Sequence, residues 1–390
     1  MKRILMLLLC IALLLSMQTL VFADPQVSAE SAILIDADDS SVLYEKDADD
    51  RLAMASTTKI MTALIVIERA DLSEVITIPK EACGIEGSSA YLYEGEKMSV
   101  RDLLFALMLQ SANDAACALA LHVAESFEAF SGLMNEKATS IGMQDSAFVN
   151  PHGLPSDGHY STARDMARLM QAAMQVQEFA AISGAKNHTT TEYPGGAKHY
   201  FRNHNKLLND YEYCTAGKTG FTKAAGRCLV SSAEKDGAKL ICVTLSAPDD
   251  WNDHKALYEH GFSLFSSHIL YQTGELRYDL PVVGSVDNFA SVENLSTISA
   301  SLRTKDGIRV LYDLPHFAYA PIQGIDSLDA AAPSPPDAMC AGYAIIMQGE
   351  REICRVKLFY KNSIAEYIPP TIWERILQFF GWKKSESKNS

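Results

Sequence analysis

Apolar residues fall at Ile60, Met61, Leu64, Ile65 and Ile67, a helical spacing that predicts a buried helix opened by Ser56-Thr57-Thr58-Lys59. Met166, Leu169, Met170, Ala173 and Met174 repeat that period behind the start signal Thr162-Ala163-Arg164-Asp165, and this methionine stripe reads as core. Ser99-Val100-Arg101-Asp102 has the capping-box arrangement, with Asp in place of Glu, and starts a helix running toward Leu109. Ser111 then falls in a loop before the next helix. Shorter apolar stretches at 32–36 and 41–44 flank Ala37-Asp38-Asp39-Ser40 as a hairpin. Residues 228–232 and 240–245 suit neighbouring antiparallel strands joined through Lys235-Asp236-Gly237. Strands at both ends with helices between them predict an α/β fold, an antiparallel sheet with helices on its faces.

The pattern shifts near residue 272. Strand-length segments at 296–302, 308–312, 341–347 and 354–360, interrupted by a Pro/Ala-rich loop at 330–336, predict a small all-β domain over 275–366 without a catalytic role. In 371–384, Ile372, Ile376 and Phe380 stack four apart with Trp373, Leu377 and Phe379 alongside, while Glu374, Arg375 and Gln378 face away. A bilayer crossing needs about 20 residues, so this segment is expected to lie in the membrane interface, with Lys383-Lys384 as its basic patch. At the other end, Lys2 and Arg3 precede an apolar stretch and Val21-Phe22-Ala23 offers small residues for cleavage. Residues 1–23 therefore read as a secretory signal, which leaves 24–272 for the first domain and places the protein outside the cytoplasm.

Composition narrows the partners. The chain has 390 residues, is 48% hydrophobic, and carries a formal charge of −14, which becomes −16 when Lys2 and Arg3 leave with the signal. Such a surface repels nucleic acid, which is excluded as a partner. Beyond Cys10 the seven cysteines, Cys83, Cys117, Cys214, Cys228, Cys242, Cys340 and Cys354, are scattered and read as small buried hydrophobes, with a single bridge such as Cys228–Cys242 left open. Neither His-Glu-x-x-His nor a close His/Asp set occurs, so no metal or cofactor is expected, and His152 and His159 are expected to order a loop.

The candidate chemistry lies in three short runs: Ser56-Thr57-Thr58-Lys59, Ser111-Ala112-Asn113 and Lys218-Thr219-Gly220. They hold a nucleophile, proton carriers, an amide and a second cation, the parts needed to attack an acyl carbon. A serine hydroxyl is a weak nucleophile until a base takes its proton, and a lysine three residues on shares its helix face. That lysine serves as a base only when neutral, which requires burial or a neighbouring cation such as Lys218. Ser232-Ala233-Glu234-Lys235 and Ser385-Glu386-Ser387-Lys388 share the spacing but open no apolar helix.

With the runs Ala55 to Leu64, Leu109 to Ala116, Asn150-Pro151-His152-Gly153-Leu154, His159 to Ala163 and Lys218 to Thr222, the chain resembles the serine-type D-alanyl-D-alanine carboxypeptidases among the low-molecular-mass penicillin-binding proteins. The resemblance covers residues 27–270 closely. It implies a serine transpeptidase/β-lactamase-like fold followed by a small β domain. It also implies removal of the terminal D-alanine from peptidoglycan stem peptides through an acyl-enzyme, and binding of β-lactam inhibitors. Carried over by motif, Ser56 is the nucleophile, Lys59 its base and Ser111 a proton relay. Asn113 holds the substrate amide, Lys218 and Thr219 help bind its carboxylate, Gly220 leaves room for its backbone, and the N–H groups of Ser56 and Phe221 form the oxyanion hole. Two departures bear on the grip on the carboxylate: Thr215-Ala216-Gly217 before the triplet, and His204 where some members have arginine, with Arg202 nearby. A β-lactamase is the nearest alternative, although no Glu-x-x-Leu-Asn stretch follows the second motif; a non-catalytic penicillin-binding sensor is another.

Overall fold

The computed structural model describes residues 25–194, 196–327 and 335–379. The expected signal at 1–23, most of the Pro/Ala-rich loop and the end of the 371–384 segment, with Phe380, Lys383 and Lys384, lie outside the described residues. Two compact units divide the chain, one reaching to Phe265 and the other beginning at Ser266. Residues 266–272 thus go with the second unit, although the sequence reading assigns them to the first.

In chain order the first unit begins with β1 (Ser31–Asp36), β2 (Val42–Lys46), a 3₁₀ turn (Ala55–Thr58) and α1 (Lys59–Arg69). Next come β3 (Val75–Thr77), β4 (Lys97–Ser99), α2 (Val100–Leu109), α3 (Asn113–Val123) and α4 (Phe127–Ser140). α5 (Ala163–Met174), α6 (Gln177–Gly184), β5 (Asn187–Thr189), β6 (Tyr200–Arg202) and α7 (Leu207–Asp210) follow. It closes with β7 (Cys214–Thr222), β8 (Gly226–Lys235), β9 (Ala238–Leu245) and α8 (Asp250–Ser263).

β1, β2, β7, β8 and β9 form one antiparallel sheet in the order β2-β1-β9-β8-β7, so β7 is an edge strand. Side chains alternate across a strand, and the core divides accordingly. Ile33, Ile35, Ile241 and Val243 face the large cluster that contains the apolar sides of α1, α2 and α5. Ala32, Leu34, Leu240 and Cys242 face Leu257, Tyr258 and Phe262 of α8 on the other side. The β8–β9 register sets Cys242 opposite Ser231 and Leu229 opposite Thr244, so Cys228 and Cys242 are not cross-strand partners, and both are free thiols. Asp236 and Gly237, both at positive φ, make the turn between these strands.

The helix starts follow their signals. Thr162 Oγ1 accepts from Asp165 N at 3.0 Å and Ser99 Oγ from Asp102 N at 3.1 Å. Asp102 does not close its box: its carboxylate meets His188 Nε2 at 2.6 Å and ties the β5–β6 hairpin to α2. Buried Glu96, just before β4, meets His199 Nε2 at 2.7 Å. In the second unit, β11 (Arg277–Val283), β12 (Phe289–Glu293), β14 (Ile308–Asp313), β15 (Ala318–Tyr319), β16 (Cys340–Gln348) and β17 (Arg351–Tyr360) make a six-stranded sheet. β10 (Ser266–Tyr271) pairs with β13 (Ile298–Leu302), and the unit ends in α9 (Ile372–Phe379).

Candidate active site

The 3₁₀ turn carries Ser56, and the helix that continues from it begins at Lys59. Residues three apart in a 3₁₀ turn are eclipsed, which brings the two side chains together. Lys59 Nζ lies 2.9 Å from Ser56 Oγ, 2.7 Å from Asn113 Oδ1 and 2.7 Å from the His152 carbonyl. Three acceptors satisfy an ammonium, but its desolvation is severe, because the residue is 0% exposed. Burial, and next the charge of Lys218, hold the Lys59 pKa well below that of a free lysine. A neutral amine keeps its bonds to Asn113 and His152 and turns its lone pair to the Ser56 hydroxyl.

The His152 carbonyl reaches this position because Gly153 follows it at φ +89°, where an added Cβ would sit 1.9 Å from the Ala55 carbonyl oxygen. Asn150 Oδ1 accepts from Gly153 N at 2.7 Å and fixes the turn. Behind it His159 accepts from Val149 N at its Nδ1 and meets Thr58 Oγ1 at its Nε2, 3.0 and 2.9 Å away. Burial lowers the pKa of His159 to about 4; burial and then the Lys59 charge take that of His152 to about 3. Both rings are neutral loop-ordering groups.

Ser111 sits between α2 and α3 at φ +58°, a conformation few non-glycine residues adopt. Its hydroxyl accepts from Lys218 Nζ at 3.0 Å, and the same amine donates to the Thr219 carbonyl at 2.7 Å. Burial lowers the Lys218 pKa to about 7. Asn113 Nδ2 donates to the Glu86 carbonyl at 2.6 Å and its N–H to the Ser88 carbonyl at 2.8 Å, which packs the 86–92 loop beside the site. Buried Asp114 secures that loop by accepting from Ser89 Oγ and from the N–H groups of Ala90 and Leu92.

Edge strand β7 completes the wall. At Gly220 an added Cβ would lie 3.0 Å from Ser56 N and 3.1 Å from Met54 O. The glycine lets the strand close on the backbone of Ser56. Ser56, Ser111, Thr219, Gly220 and Phe221 line a cleft of about 670 Å³ that is continued by Arg202, His204, Arg227, Asp250 and Trp251. The structure thus gathers all eight sequence-selected residues. It adds four that the sequence reading missed: Asp114, Arg227, Asp250 and Trp251. Asp114 lies within the run Leu109 to Ala116, but the resemblance gives it no role; Arg227, Asp250 and Trp251 lie in no motif, and only the folded sheet brings Arg227 to the cleft.

A buried serine–histidine pair elsewhere shows the contrast. Ser231 Oγ lies 2.7 Å from His254 Nδ1, but His254 is wholly enclosed and burial drops its pKa to about 3. Substrate has no access to it. Among the described residues no three His, Cys, Asp or Glu side chains converge as a metal set.

The fold and this cleft define a serine acyl-transfer protein of the penicillin-binding type. Residues 18–249 match the family model described as D-alanyl-D-alanine carboxypeptidase, and the chain belongs to that family. It is similar to D-alanyl-D-alanine carboxypeptidase DacF of Bacillus subtilis, 33% identical over 287 residues that span 72% of this chain and 73% of the relative. Among solved structures, a mutant of the Streptomyces K15 DD-transpeptidase is 31% identical, covering 61% of this chain and 99% of that one, with a TM-score of 0.58. The D-alanyl-D-alanine carboxypeptidase DacD of Francisella tularensis, 24% identical, shares the fold over 88% of this chain and 95% of its own at a TM-score of 0.59.

Proposed function

We propose that the protein removes the terminal D-alanine from peptidoglycan stem pentapeptides through an acyl-enzyme on Ser56. The observation that carries this reading is the buried Lys59 amine 2.9 Å from Ser56 Oγ, with two other acceptors to hold it when neutral. Lys59 takes the hydroxyl proton as Ser56 attacks the scissile carbonyl. The N–H groups of Ser56 and Phe221 receive the developing oxyanion, supported by the close passage of Gly220 beside Ser56 N. Ser111, hydrogen-bonded to Lys218, relays the proton taken by Lys59 to the departing D-alanine amine, which returns Lys59 to the neutral amine, and Asn113 holds the acyl-side amide. Water then hydrolyses the ester. β-Lactams acylate the same serine.

Peptidoglycan lies outside the cytoplasm, and the basic and apolar start of the chain supports export. Attachment to the outer face of the membrane is assigned to 371–384. In its described part, Ile372 and Phe379 are 74% and 85% exposed on α9. The proposed attachment is in-plane, because 371–384 is shorter than the about 20 residues a crossing needs; no helix of the described residues is long and apolar enough to cross a membrane.

Incubation with a pentapeptide ending in D-Ala-D-Ala tests the reaction. Mass analysis is expected to show the tetrapeptide and one free D-alanine. An intact pentapeptide alongside a penicillin-labelled protein would favour the sensor, and rapid penicillin turnover would favour the lactamase.

A further inference from the structure

The cation that meets the substrate carboxylate is not supplied directly by Lys218, which is 1% exposed and committed to Ser111 Oγ and the Thr219 carbonyl. Arg227 stands opposite Phe221 in the β7–β8 register, and Leu229, two residues on, stands opposite Thr219. Arg227 and Thr219 therefore share one face of the ladder as diagonal neighbours, about 7–8 Å apart at Cα, well within an arginine's reach. Both line the cleft with Ser56, and 40% of the Arg227 side chain is open.

Its direction is fixed. Nε and Nη2 both donate to one oxygen, Asp250 Oδ1, at 2.9 and 2.6 Å, and the Trp251 ring centre lies 5.4 Å from Cζ. Asp250 is 2% exposed at the start of α8, so the clasp is anchored in the fold. The remaining three N–H bonds of the guanidinium are directed away from Asp250, in the fork geometry that suits a second carboxylate.

We infer that Arg227 is a specificity residue that grips the carboxylate of the leaving amino acid beside the Thr219 hydroxyl, with Asp250 and Trp251 as its positioning residues. This rests on the carboxypeptidase reading. It makes a free C-terminal carboxylate a requirement for good substrates, and it supplies an arginine where His204 provides none.

The test compares kcat/KM for a peptide ending in D-Ala-D-Ala with that for the same peptide ending in D-alaninamide. The wild type is expected to prefer the free acid strongly. Arg227→Gln should lose about 10- to 100-fold on the acid, the range for a hydrogen bond to a charged group, and change little on the amide. Because Arg227→Gln leaves Asp250 buried without its guanidinium, the double variant Arg227→Gln/Asp250→Asn is measured as well, with thermal melting of each. Collapse of the acid-to-amide ratio in the double variant at wild-type melting temperature supports the assignment. An unchanged ratio, or equal losses on both substrates at that melting temperature, overturns it while the carboxypeptidase reading stands. A wild type that releases no D-alanine from the acid overturns both.

Discussion

Lys59 illustrates how one position acquires its chemistry from burial. An exposed lysine would stay charged at neutral pH and could not accept a proton; here desolvation outweighs three good acceptors, and Lys218 adds to the shift. Lys59→Arg keeps the charge but removes the proposed base, because a guanidinium does not lose its proton. Penicillin acylation is expected to fall by about two to four orders of magnitude, the range for loss of general-base help. The sign of the pH dependence follows: in the wild type acylation rises as pH climbs through the lowered Lys59 pKa, and stopped-flow labelling of the variant should show no such limb. A parallel pH limb in the variant would mean that another group takes the proton. Ser56, Lys59, Ser111, Asn113 and Lys218 were legible in the sequence because helical spacing and short motifs encode them locally. The His152 carbonyl was not, because a backbone acceptor has no residue signature; only Gly153 hints at it, through a close approach visible after folding.

At the scale of elements, periodicity served wherever one face is buried. The starts at Ser99 and Thr162 and the β8–β9 pair follow their local signals, since capping and turn chemistry act within a few residues. The helices 127–140, 177–184 and 250–263 were not predicted; α8 lies against the sheet along one side but mixes Asp253, His254 and Tyr258 into its buried face, which blurs the apolar stripe. Short strands such as 187–189 and 200–202 take their form from histidine–carboxylate ties to other elements, and no local window contains those. α9 carries its own prediction. Thr371 and Glu374 cap it reciprocally, with Thr371 N donating to Glu374 Oε2 at 2.8 Å, so it starts as an ordered helix. Burying several large apolar side chains, at roughly 1.5–3 kcal/mol each before ordering costs, can hold a protein on a bilayer. On the in-plane attachment proposed above, Ile376→Asp with Phe380→Asp is expected to release the protein from membranes into the soluble fraction, with small-peptide hydrolysis unchanged. Retention of the double variant on sedimented membranes would place the anchor elsewhere.

For the whole molecule, the sheet unites residues that are far apart in sequence. Ser56 precedes the mixed helical region and Lys218 follows it, more than 150 residues on, yet β7 is laid against the 3₁₀ turn so that Gly220 touches Ser56 N. The fold class was readable because strands occur at both ends of the first unit; the unit boundary at 265/266 was not, because β10 continues directly from the helix before it without a linker of distinctive composition. The chain is acidic, −14 in all, whereas Arg202 and Arg227 line the cleft. The reaction as a whole depends on which atom becomes acylated. Fluorescent penicillin labelling followed by peptide mass mapping measures this most directly: a single adduct on the peptide containing Ser56, absent in Ser56→Ala with unchanged melting, is the predicted result. An adduct that persists in that variant, or maps to Ser232 or any other residue, would contradict it.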